Sequence, residues 1–225
     1  MESEKTKKEI EEIEGIFLNR SKKKSIESLS NIVFGIALSI GTFTFITQDP
    51  TMVTKNIVTF AFSFFVLIYI WFRYTRILEL IKIETTVEML LNIVMLFLVV
   101  AEPYLFIQVQ FNVLPYATSA QLGPTSALFG LDIAGLMFVL GFIYVLCLRN
   151  YRYVRREIMV HFNGIRNSIF AIGVVFLIAD LPMLWNVYVF GIQLRFVLWF
   201  LSVVIAIALR YVNGELYRVL DRKVV

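Results

Sequence analysis

The chain has 225 residues, of which 59% are hydrophobic and 15% aromatic, and its mean hydropathy is +0.77. Only 17% are charged, against about 25% in soluble domains, and the apolar residues come in long blocks, so an ordinary soluble domain is excluded in favour of a polytopic helical membrane protein. One cysteine (Cys147) and one histidine (His161) exclude an internal disulfide and Cys- or His-rich metal sites, and the net charge of +4 carries meaning only once it is sorted by segment.

Residues 1–27 form a polar arm of mixed charge. Ile10, Ile13, Ile16 and Phe17 recur at helical spacing, which predicts an amphipathic helix from Glu4 to Phe17. The arm has no apolar core followed by a cleavage site, so no signal peptide is expected.

Six apolar blocks follow, at about 28–46, 56–73, 86–107, 127–148, 165–186 and 192–211. Each approaches the roughly 20 residues that a helix needs to cross a hydrocarbon core of about 30 Å. The expected architecture is therefore all-α: a cytoplasmic arm (1–27), a six-span membrane domain (28–212) and a cytoplasmic tail (213–225).

The first block carries small and hydroxyl residues where a plain lipid anchor would carry leucine. At about 100° per residue, Ile32, Ile36, Ser39 and Phe43 share one face. Such a face suits the lining of a narrow apolar pore, and equally a helix-packing surface. Gly35 and Ser39 form a small-x-x-x-small pair of the kind that lets helices approach closely. Ser39 also suits a bond back to the carbonyl of Gly35.

Lysine and arginine fix the expected orientation. The arm holds seven, the link between the second and third blocks three, the link between the fourth and fifth five, and the tail four. These segments fall on one side, and the other side holds only Lys55 and Arg195. Both termini are therefore expected in the cytoplasm. The basic face suits anionic lipid, and no nucleic-acid partner is expected.

Pro103 and Pro182 are expected to kink or end the third and fifth spans. They do not stand at matching places of two inverted triple-span halves, and no internal repeat is visible, which weakens a transporter reading. Glu102, Asp132 and Asp180 lie inside apolar blocks, in the outer half by helix rise. Acids at that depth suit either a cation-attracting outer vestibule or a structural role near the interface. No paired carboxylates with a nucleophile, no His–Cys constellation and no phosphate loop point to an enzyme.

Three stretches carry a resemblance. SLSNIVFGIALS (from Ser28), SFFVLIYIWFRYTRI (from Ser63) and LNIVMLFLVVAEPYLF (from Leu91) resemble the first three helices of the prokaryotic homologues of the endosomal and lysosomal potassium channel known as transmembrane protein one-seven-five. That family opens its first helix with R-x-x-x-F-S-D. Here the arginine position reads Ser25, and the F-S-D positions read Leu29, Ser30 and Asn31, so the serine alone is kept. With charge absent from both ends of the former pair, a neutral Asn–Ser network is expected to hold the helix, because one unpaired buried charge costs several kcal/mol.

The resemblance implies a potassium-favouring cation channel with six spans per subunit, four subunits around one pore and the first helix lining it. It needs no cofactor beyond the permeant ion, and nothing like a TVGYG filter occurs. By position it places the apolar constriction at Ile36 and the selectivity-related hydroxyl at Ser39, with Ile32 one turn inward and Phe43 one turn outward. The resemblance implies the plasma membrane of a prokaryote. A non-conducting scaffold of the same fold and, behind it, a secondary transporter are the alternatives.

Overall fold

Inside a bilayer each backbone N–H and C=O needs an internal partner, so long apolar blocks become helices. The computed structural model describes residues 23–42, 53–80, 85–111, 119–150, 156–189 and 192–222, and within them the chain is almost wholly helical. The helices are α1 (Lys23–Thr42), α2 (Val53–Leu80), α3 (Thr86–Phe111), α4 (Ser119–Asn150), α5 (Arg156–Ala179) and α6 (Leu194–Arg222). The first five are long and apolar enough to cross a membrane, and α6 contributes an apolar stretch over Leu194–Leu209. The chain is an integral membrane protein with an all-α fold.

The start of α3 is set locally. Thr85 Oγ1 accepts from the Glu88 backbone N–H at 3.3 Å, and Glu88 Oε2 accepts from the Thr85 N–H at 2.9 Å. This reciprocal capping box satisfies two donors that a helix start otherwise leaves open. Pro103 does not end α3, which continues to Phe111. The fifth span, expected to reach 186, stops at Ala179, and Pro182 opens a short 3₁₀ turn (Pro182–Leu184) instead. A proline tolerates the first position of a helical turn because its missing N–H would be unsatisfied there anyway. A two-residue hairpin follows: β1 (Tyr188–Val189) runs antiparallel to β2 (Ile192–Gln193), with Tyr188 opposite Gln193 and Val189 opposite Ile192.

Helices α3, α4, α5 and α6 pack in succession, and α2 lies against α3 and α4. Helix α4 is the most deeply buried, with 56% of its span window covered. Glycines permit its close crossings. A Cβ at Gly141 would stand 2.7 Å from the Phe170 ring, and one at Gly173 would stand 3.3 Å from Met137 Cβ. Trp199 of α6 forms the hub of the outer core. Its ring meets Phe129 at 5.2 Å, Phe176 at 5.7 Å and Phe62 at 6.3 Å between centroids, joining α4, α5 and α2. It is a buried core residue.

Basic helix ends gather on one side. Lys23 Nζ at the start of α1 donates to the Glu79 carbonyl near the end of α2 at 2.5 Å. The Tyr144 hydroxyl of α4 lies 3.4 Å from the Arg73 carbonyl of α2.

Candidate pore-lining helix

Helix α1 stands apart from the rest of the bundle. Only 17% of its span window is buried, whereas the other four spans are 39–56% buried. One narrow stripe holds it: Ser30, Phe34 and Ala37 are fully covered. The Phe34 ring packs on Tyr74 of α2 at 5.8 Å, and a Cβ at Gly41 would touch the Phe60 ring at 3.7 Å.

Two polar contacts add to this hold, one within the stripe and one on its exposed flank. Ser30 Oγ donates to the Ile26 carbonyl at 2.7 Å and shares a hydrogen bond with the Tyr74 hydroxyl at 3.1 Å. Trp71 Nε1 donates to Asn31 Oδ1 at 3.0 Å. A neutral polar network therefore joins the two motif positions to α2, but each bonds to an aromatic of α2 rather than to the other. Tyr74 and Trp71 were missed as partners by sequence reasoning; the signal was the aromatic–basic run WFRYTR at the end of the second block.

The opposite face of α1 is open. Ile32 is 57% exposed and Ile36 50%, and Ser39 is exposed as well. These three fall within about 60° of one another and about 160° around the helix from the buried stripe. Phe43 lies outside the described residues. Ser39 Oγ donates its proton to the Gly35 carbonyl at 2.8 Å. That bond turns the hydrogen inward and leaves oxygen lone pairs outward, the polarity a cation requires. A Cβ at Gly35 would meet nothing within 4 Å among the described residues, so their packing does not explain that glycine.

The three acids lie inside the chain. Glu102 is fully buried and accepts from Ser63 Oγ of α2 at 2.5 Å; Asp132 and Asp180 are buried too. A Cβ at Gly130 would collide with the Asp180 carboxylate, so that glycine makes its room. Arg195, the lone cation counted on this side apart from Lys55, is also buried and interacts electrostatically with Asp180. Its Nε donates to Gln193 Oε1 at 2.9 Å and its Nη1 to Ser126 Oγ. Glu102 thus links α3 to α2 and Arg195 links α6 to α4, while among the described residues both Asp180 carboxylate oxygens and Asp132 Oδ2 have no hydrogen-bond partner. Their sequence signal was a single arginine on the side that holds three acids.

No family model matches the chain, and no curated protein matches it. Two solved structures do share its fold. One is a lysosomal potassium-selective channel TMEM175 homolog from Chamaesiphon minutus, with a TM-score of 0.58 and 15% identity, over 87% of this chain and 97% of that one. The other is a threonine-to-alanine variant of the potassium channel MtTMEM175 in complex with a nanobody fusion, with a TM-score of 0.62 and 17% identity, over 84% of this chain and 93% of that one.

Proposed function

We propose that the chain is one subunit of a passive, potassium-favouring cation channel. Four copies surround one axis, with the α1 helices innermost, both termini in the cytoplasm and the assembly in a prokaryotic plasma membrane. The observation that carries this reading is the open face of α1. A helix held to its own chain by one narrow stripe, with Ile32, Ile36 and Ser39 uncovered on the far side, needs other copies to complete it. The fold shared with two potassium channels supports the same arrangement.

In this arrangement Ile36 forms the apolar constriction, and a ring of Ser39 oxygens lies one turn outward. Close approach of neighbouring α1 helices occurs at Gly35, where a Cβ would otherwise stand. Selectivity follows from a tight apolar ring with hydroxyl oxygens beside it, rather than from backbone carbonyls. Ser30 and Asn31 act at a distance from the ion by fixing the rotation of α1 through Tyr74 and Trp71.

The test is potassium against sodium flux from liposomes holding the purified protein. Potassium-favouring flux is expected, with Ile36→Ala raising total flux and Ser39→Ala lowering the preference. No flux from an intact oligomer, in wild type and both variants alike, would replace the channel by a non-conducting scaffold of the same fold.

A further inference from the structure

Helices α2 and α6 meet at their outer ends, where the Phe62 and Phe200 rings pack at 4.9 Å. Toward the basic side they part and leave a cavity of about 330 Å³ floored by α4 and α5. Phe62, Val66, Met137, Ile172 and Phe176 line its depth, and Arg73 closes its basic end. The rim is open: Phe65 is 67% exposed and Ile207 66%.

The polar groups in the walls are already engaged. Ser168 Oγ donates to the Gly164 carbonyl at 2.9 Å, and Ser202 Oγ donates to the Trp199 carbonyl at 2.6 Å. The Arg73 guanidinium lies over the Tyr69 ring at 5.2 Å, which holds it at the mouth. Among the described residues the site therefore presents an apolar trough with one fixed cation at a single end. From Phe62 to Arg73 the trough runs about 16 Å at 1.5 Å per residue, close to half of a hydrocarbon core of about 30 Å. That is the depth of one leaflet.

The trough also faces away from α1. On α2, the residues lining it stand about 150° around the helix from Phe60, Trp71 and Tyr74, which touch α1. With α1 at the axis of the assembly, the trough opens to the lipid periphery rather than to a neighbouring copy. This step rests on the proposed placement of α1.

We propose that this trough is a binding site for an anionic phospholipid of the cytoplasmic leaflet, with one acyl chain between α2 and α6 and the phosphate at Arg73. A zwitterionic lipid fills the trough with the same chain but gains no net charge attraction. One basic residue near the surface is worth about a fivefold preference for an anionic headgroup.

Native mass spectrometry of the purified oligomer, exposed to equal amounts of phosphatidylglycerol and phosphatidylcholine of matched chains, tests this. The expected result is a roughly fivefold preference for phosphatidylglycerol in wild type and Arg73→Lys, falling to near parity in Arg73→Gln. Val203→Trp, at the exposed rim, is expected to lower occupancy by both lipids while the oligomer mass stays intact. Parity in wild type, or an unchanged preference in Arg73→Gln, would overturn the site. Dissociation of the oligomer by Val203→Trp would overturn it too, by making the trough an interface between copies. Ion flux from the same preparations reports separately on the placement of α1 around a pore.

Discussion

The attachment of α1 to α2 gives a sharp prediction because the contact is small and buried. Ser30→Ala removes one side of the 3.1 Å bond to Tyr74, whose ring is fully covered. The tyrosine hydroxyl is then left without that partner, a loss of about 1–3 kcal/mol. Tyr74→Phe removes the other side at lower cost, about 0.5–1.5 kcal/mol, because Ser30 keeps its bond to the Ile26 carbonyl. In Ser30→Ala/Tyr74→Phe no polar group is stranded, so the double variant is expected to be less destabilised than the two single costs added. Interhelical hydrogen bonds in membranes average about 0.6 kcal/mol in double-mutant cycles and reach about 1.7, which sets the expected coupling. The assay is thermal unfolding of the purified protein in detergent, where each kcal/mol corresponds to about 2–4 °C for a chain of this size. Additive shifts, with the double variant at the sum of the two singles, would refute the claim that this bond holds α1. Asn31→Ala is the internal comparison: its bond to Trp71 is exposed, so its melting shift is expected to be the smallest of the set.

Other substitutions separate assembly from folding. Gly35→Leu meets open space within the chain, so subunit helicity is expected to persist while crosslinking and size-exclusion profiles lose the oligomer. Gly141→Leu drives a side chain into the Phe170 ring, and overpacking of this kind is expected to cost about 1–3 kcal/mol, seen as a lower melting temperature in detergent.

Much of the fold was legible because hydrophobic length is a local property. Six apolar blocks became six helices, and the basic start of α1 lies against the end of α2. That Ile32, Ile36 and Ser39 share one face followed from 3.6-residue periodicity alone. Boundaries were less legible. Proline at 103 was expected to kink or end the third span, and the helix runs on past it to Phe111, with Pro103 and Glu102 both buried. Proline at 182 did coincide with a stop, but three residues after the helix had ended.

The sequence by itself determined the class of molecule, the number of helices and the two faces of α1, since each depends only on residues near one another along the chain. The tertiary structure alone decided which face of α1 is covered, because coverage depends on Tyr74 and Trp71, some forty residues away. It also decided that Glu102, Asp132 and Asp180 are buried, Glu102 against Ser63, rather than standing on a free surface. The trough between α2 and α6 has no sequence signature at all. It arises where two helices more than a hundred residues apart diverge below the contacts of Phe62 with Trp199 and Phe200, a property of packing that no single stretch of chain contains.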